Sequence, residues 1–314
     1  MNSSTDNSHI PRSFSLLAFT ENGDLTFPLF FGMLLVYLVA LVGNAILITL
    51  VCLVPQLHTP MYMFLCNLSV QDILYVSIIL PKFLAITISR NSSISFQFCI
   101  TQDTLFIYCV EAEFLLLSIM SYDRYVAICL PLRYFATMNN RTCGLLAFTS
   151  WFIAVIDSLP FSLLISNLSF CKSKEINHLF CDLKALLKIS CNDTTNITNM
   201  ILIQGSFIGC LPFLLILTSY ANIIFTVLQI RSSDGKMKAF STCSSHLTVV
   251  LMFCGTCLGQ YMIPKSESSE EQDKVLSLLY VAIVPMLNPL VYSLRNKQVL
   301  TAFEKLFKIT QSSE

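Results

Sequence analysis

The chain has 314 residues, of which 54% are hydrophobic and only 12% charged, and its formal net charge is zero. A soluble globular domain carries about 25% charged residues, so an ordinary soluble fold is excluded, and the zero balance removes the basic footprint of a nucleic-acid binder. The mean hydropathy of +0.68 points to a lipid bilayer as the solvent.

The first residues, Met1 to Asn22, are polar and include the glycosylation sequon Asn2-Ser-Ser. No cleavable signal peptide is visible, and the first apolar run is too long for a signal core, so it reads as a retained anchor. A spanning helix needs about 20 mostly apolar residues. The sequence offers seven: Leu25–Val54, Met61–Ile88, Cys99–Cys129, Thr142–Leu164, Asn199–Ile230, Ala239–Ile263 and Val275–Leu294. The third is the most polar inside, with Asp103, Glu111 and Glu113, and it ends on Met120-Ser-Tyr-Asp-Arg-Tyr-Val-Ala-Ile-Cys129. A charge at the bilayer centre costs about 2.5–3.5 kcal/mol on insertion scales, so such residues are rare and usually functional. After the seventh span, Gln298 to Lys308 alternates apolar and basic residues at helical spacing and reads as a short amphipathic helix on the inner leaflet. The expected fold is all-α, a seven-transmembrane helix bundle. It divides into a tail (1–24), a membrane domain (25–294) and a cytoplasmic tail (295–314).

Basic residues in short loops set the orientation. Arg124, Arg133, Arg141, Arg231, Lys236, Lys238, Arg295, Lys297, Lys305 and Lys308 gather on one side. The other side holds Glu267, Glu270, Glu271 and Asp273, together with sequons at Asn91, Asn167, Asn192 and Asn196. This places the N-terminus outside and the C-terminus in the cytosol. Sequons at Asn67 and Asn140 fall in a span and on the inner side, and are expected to be silent.

Nine of the 13 cysteines lie in apolar runs and read as small buried hydrophobes. Cys99, Cys171, Cys181 and Cys191 lie in or beside polar loops, where two bridges would need an oxidising compartment; spacing leaves three pairings open. Zinc is a poor rival, because His178 is the lone histidine nearby and no short Cys-x-x-Cys repeat accompanies it.

Several polar groups sit inside the spans. Asp72 and Glu113, with Asn44 and Asn288, could form a cluster that holds water or a cation, or simply a structural hydrogen-bond network. Glu111 lies about 200° of helical rotation from Glu113 and so faces the other way, toward the fourth and fifth spans or a cavity. There it either anchors a ligand or pairs with an amide or hydroxyl such as Gln204 or Ser206. Pro81, Pro160, Pro212, Pro285 and Pro289 each free a carbonyl and can kink a helix; Asn288 is placed to satisfy freed backbone groups and Tyr292 to swing at the inner end. His246, after the small polar run that opens the sixth span, reads as a satisfied hydrogen bonder. There is no His-Glu-x-x-His, P-loop or Gly-x-Ser-x-Gly, and Asp157 in the fourth span has no evident catalytic partner, so no enzyme is expected.

Four segments, Leu57-His-Thr-Pro-Met-Tyr-Met-Phe-Leu65, Met120 to Cys129, Lys238 to His246 and Pro285 to Asn296, together resemble the olfactory receptor family of rhodopsin-like G-protein-coupled receptors. The likeness covers nearly the whole chain. Small departures are Ser121 where the family usually has Ala, and Phe253-Cys254-Gly255 in place of a common Phe-Tyr-Gly. The resemblance implies bridges Cys99–Cys181 and Cys171–Cys191, which would staple the second outer loop across the mouth. It implies a small, largely apolar volatile ligand in a cavity among the third, fifth, sixth and seventh spans. The implied cavity positions are Phe106, Ile107, Val110, Glu111, Gln204, Ser206, Ile208, Leu258, Tyr261 and Leu278. It further implies a switch in which Arg124, released from Asp123, gains Tyr220 and Tyr292 as neighbours and helps to dock a heterotrimeric stimulatory G protein that raises cyclic AMP. No cofactor or metal is implied, and the site of action is the plasma membrane. A rhodopsin-like receptor for a small amine is the rival reading, resting on Asp103 and Glu111. A transporter is a weaker one, since no internal repeat is visible.

Overall fold

The computed structural model describes residues 11–18, 26–171, 173–261, 270–295 and 299–304. In chain order they form β1 (Ser13–Leu16), α1 (Thr26–Leu53), α2 (Pro60–Ser89), β2 (Ser93–Ser95), α3 (Phe96–Cys129), α4 (Tyr134–Thr137), α5 (Asn140–Ser166) and β3 (Glu175–Ile176). There follow α6 (Leu183–Ile189), α7 (Thr195–Gln204), α8 (Leu211–Gln229), α9 (Ser233–Tyr261), α10 (Glu270–Leu278) and α11 (Val284–Arg295). A π-helical turn, Gly205–Cys210, joins α7 to α8, and another, Leu279–Ile283, joins α10 to α11. Among the described residues six rods are long and apolar enough to cross a bilayer, and α9, bent by 44° between Ser241 and Cys243, makes the seventh when its two parts count as one span.

Side-chain chemistry explains how these rods sort. In α1, Phe27, Phe31, Leu35, Leu38, Val42 and Ile46 are exposed and recur at helical spacing, while Ala40, Asn44 and Leu47 are buried. An exposed stripe of this kind suits lipid, whereas the buried face carries the small and polar groups that let helices approach. The third span is the hub. α3 packs against α2, α5, α8 and α9, and α1 and α2 close the ring through α11. Its buried set includes Gln102, Asp103, Glu111, Glu113, Ser118, Ser121 and Asp123, so the polar groups of this span are turned into the bundle. Ser95 caps its N-terminus by accepting from the Phe98 N–H at 3.3 Å, and Asn139 caps α5 by accepting from Thr142 N–H at 3.0 Å.

Two features depart from the sequence reading. First, the N-terminal segment is not a tail throughout. β1 pairs antiparallel with β2, Phe14 opposite Ile94, and parallel with β3, Leu16 opposite Ile176. The alternation Ser-Phe-Ser-Leu carries a period of two that buries Phe14 and Leu16, and Phe14 meets Phe170 edge-on at 5.0 Å. Second, two prolines end π turns instead of sharp kinks. Pro212 and Pro285 follow the two π-helical turns, and each lacks the N–H that would bond four residues back, inside the π turn. Pro289 frees the Pro285 carbonyl in the same way. Asn44, not Asn288, satisfies it, with its Nδ2 donating to Pro285 O at 3.1 Å. Gly43 permits this approach, because a Cβ there would lie 3.0 Å from Cγ of Pro289. Beyond α11, residues 299–304 are helical, with Val299 and Ala302 buried on one face. The rest of the expected amphipathic helix lies outside the described residues.

Candidate functional site

One helix carries three polar centres along its length. Nearest the β-sheet, α3 borders a cavity of about 280 Å³. Phe106, Ile107, Val110 and Glu111 of α3 line it, with Gln204 of α7 and Ile208 of the π turn. Phe114, Ile201, Phe213, Cys254 and Cys257 add apolar and thiol surface, and Asp103, Asp182, Leu183 and Lys184 border it at the disulfide end. A mostly apolar chamber with few polar groups is the usual form of a small-molecule site.

Two expected positions fall elsewhere, and two lie outside the described side chains. Ser206 is exposed on the far side of the π turn, and its hydroxyl donates to Leu202 O at 2.8 Å. The extra residue per turn in a π segment shifts which side chains face inward, and straight helical counting misses this. Leu278 is half-buried against the core but does not line the cavity. The side chains of Leu258 and Tyr261 lie outside the described residues. Among the described residues the seventh span adds no lining group, and the loop helix α6 takes its place.

Glu111 takes the amide pairing the sequence allowed, and it also lines the cavity. It faces the cavity, and the Gln204 amide donates to it while also donating to Asp157 of α5. Asp157, for which the sequence showed no catalytic partner, is thus bridged to Glu111 through one amide.

On the other face of α3 lies the second centre. Asn288 Nδ2 donates to both Asp72 oxygens at 3.1 and 3.0 Å, and Gln71 Nε2 donates to Glu113 Oε2 at 3.3 Å and to Cys109 O at 3.1 Å. Asn44 sits apart from the carboxylates, on the Pro285 carbonyl. Among the described residues Glu113 Oε1, Gln71 Oε1 and Asn288 Oδ1 are buried without partners, so the cluster as described has more acceptors than donors. An all-oxygen set of this kind suits a shared proton or a small hard cation. Gln71 was not singled out in the sequence, although it precedes Asp72 directly. Among the described residues no three His, Cys, Asp or Glu side chains gather as metal ligands.

The third centre closes the opposite end of α3. Arg124 Nε donates to Asp123 Oδ2 at 2.9 Å, and its Nη2 reaches the same oxygen. Tyr134 of α4 donates its hydroxyl to Asp123 Oδ1 at 2.9 Å. Burial and the neighbouring carboxylate both push the Tyr134 phenol up, so it stays a donor. The Asp123 side chain is fully buried and that of Arg124 is 12% exposed, so the pair is shielded from screening. Tyr220 is bonded to His246 Nδ1 at 2.6 Å, and the Tyr292 hydroxyl is buried without a partner. Neither tyrosine bonds to Arg124 in this arrangement.

The loop cysteines pair as Cys99–Cys181 and Cys171–Cys191, with Cα atoms 5.4 and 5.9 Å apart. Of the sequon residues, Asn2 lies outside the described residues and Asn91 and Asn196 are exposed. Asn167 donates to Leu163 O at 2.9 Å, and Asn192 accepts from the Ser169 amide.

Comparison with known proteins places this geometry. A family model described as olfactory receptor matches residues 33–309. Olfactory receptor 5AR1 of Mus musculus is 44% identical over 301 residues, covering 96% of this chain and 97% of its own. Olfactory receptor 8D1 of Homo sapiens is 43% identical over 301 residues, covering 96% and 98%. The crystal structure of squid rhodopsin superposes with a TM-score of 0.73 at 16% identity over 92% of this chain and 87% of that one, a likeness of fold. A bundle of the rhodopsin type, a family match over most of the chain and relatives that share nearly its whole length converge: this multi-pass membrane protein belongs to the olfactory receptor family of rhodopsin-like G-protein-coupled receptors.

Proposed function

We propose that the chain is an odorant receptor of the plasma membrane that binds small, largely apolar volatile molecules in the α3–α8 cavity and activates a stimulatory G protein to raise cyclic AMP. Its N-terminal segment (1–24) lies outside, its membrane domain spans 25–294, and the tail (295–314) lies in the cytosol. The observation that carries this reading is that a single helix, α3, borders the cavity near one end and bears the Asp123–Arg124 pair at the other. A ligand that binds one arrangement of α3 and its neighbours more tightly shifts the population toward it, and only by that difference in affinity. In the favoured arrangement α9 moves outward at the Arg124 end, Arg124 leaves Asp123 for Tyr220 and Tyr292, and the opened face receives the G protein.

The test is a cyclic AMP reporter screen in cells, with compounds varied in chain length and functional group. Arg124→Ala is expected to reach the surface and lose signalling to every agonist. Glu111→Gln is expected to weaken those agonists whose polar group contacts Glu111, by about tenfold if one charge-assisted hydrogen bond is lost. Full signalling by surface-expressed Arg124→Ala removes the switch role, and unchanged potency of every agonist on Glu111→Gln removes the anchor role.

A further inference from the structure

The cavity has a second polar end, remote from Glu111. Asp103 lies one turn beyond Cys99 on α3 and is fully buried. By distance and angle neither of its carboxylate oxygens has a hydrogen-bond partner among the described residues, and the Leu183 backbone N–H is the one donor directed at them there. Asp182 lines the same end of the cavity, within range for the two carboxylates to repel each other. Its place is fixed three ways. The Cys99–Cys181 bridge ties the preceding residue to the head of α3, the Cys181 N–H donates to Gln102 Oε1 at 3.0 Å, and Asp182 Oδ1 caps α6 by accepting from Lys184 N–H and Ala185 N–H at 3.0 and 3.3 Å. Loop and helix are thus held so that two carboxyl groups meet at the wall of an otherwise apolar chamber.

Two buried carboxyl groups at one end of a cavity, Asp103 with no more than the Leu183 amide to offset its charge, are a costly arrangement that a proton or a cation would relieve. The chamber they border is open to a small molecule, and the Phe106 ring lines it one turn away from Asp103. An aromatic face beside paired carboxyl groups is favourable surroundings for an ammonium. We infer that Asp103 and Asp182 form a headgroup site for a protonated primary or secondary amine, whose apolar body lies toward Ile208 and Cys257. This rests on the odorant-receptor reading and narrows its ligand class. A shared proton between the two acids is the competing arrangement, and Lys184, which lines the same end, is a competing cation.

The probes are linear and cyclic amines of about five to ten carbons, each beside its isosteric alcohol and carboxylic acid, sizes that suit a chamber of this volume. Two readouts are taken on the full-length receptor: cyclic AMP in cells against mock-transfected controls, and ligand-induced thermal stabilisation of the solubilised protein, which needs no G protein. Asp182→Asn removes a charge but keeps a good cap for α6, and Asp103→Asn keeps shape. In the wild type, amines are expected to outperform their isosteric alcohols at least tenfold in both readouts. At matched surface levels, Asp103→Asn is expected to erase that preference, and Asp182→Asn to weaken it. Equal potency of amines and alcohols in the wild type signifies the shared proton and overturns the inference. A preference for acids that disappears in Lys184→Met overturns it too. Stabilisation by amines without cyclic AMP keeps the inference and sinks the coupling reading, a cyclic AMP response to alcohols alone does the reverse, and no response of either kind to any compound overturns both.

Discussion

The two ends of the bundle are held by different forces. At the disulfide end, two covalent bridges, a three-stranded sheet and the capped helix α6 lock the loops over the cavity. At the Arg124 end, one ion pair and hydrogen bonds from Tyr134 and Tyr220 do the holding. Under the switch proposed above, the weakly held end is the one that opens. A recognition site needs preorganised walls, whereas a docking surface that must open is better closed by bonds worth a few kcal/mol, which a ligand's differential affinity can overcome.

The comparison can be broken most strongly at the covalent end. Cys99→Ser should cost about 2–5 kcal/mol, as loss of a native bridge commonly does, and flow cytometry of unpermeabilised cells is expected to find almost no receptor at the surface. Normal delivery of that variant would mean the sheet, α6 and the Cys171–Cys191 bridge hold the mouth without it. Gly43→Ala tests the packing midway between the ends. Its new Cβ would crowd Pro289 at 3.0 Å, and overpacking costs about 1–3 kcal/mol. Surface level is expected to fall several-fold, and an unchanged level would show that α1 and α11 have slack.

At the loose end, Tyr134→Phe removes one hydrogen bond to the Asp123 carboxylate, and a bond to a charged group contributes about 1.5–3 kcal/mol. Ligand-free cyclic AMP per surface receptor is expected to rise by up to about tenfold; a drop would place Tyr134 on the active side of the switch. The smallest effect belongs to Ser206→Ala. The side chain is exposed and bonded to its own helix, so agonist potency should stay within about twofold. A large loss would return Ser206 to the cavity.

Much of this molecule is legible in the chain. Uninterrupted apolar length gives the spans to within a few residues, because a bilayer tolerates only helices whose backbone bonds close within the segment. The polar character of α3 marks it as the hub for the same reason. The Asp123–Arg124 pair could be read directly, since its partners are neighbours in sequence. What failed to read were relations across distance or across an irregular turn. The alternation in Ser13–Leu16 carried the signal of a strand, but its partners lie at Ser93–Ser95 and Glu175–Ile176.

Local patterning therefore determined the number of rods, their polarity and the location of the charged pair. Tertiary structure alone decided that Asn44 serves the carbonyl freed by Pro289, that Gln204 bridges Glu111 to Asp157, that Ser206 turns away, and that Asp182 arrives beside Asp103. The physical reason is one of range. Hydrophobic length is a sum over neighbours along the chain, whereas a hydrogen bond is met only where two directions in space coincide. Those directions are set by π turns, proline rings and a disulfide acting together.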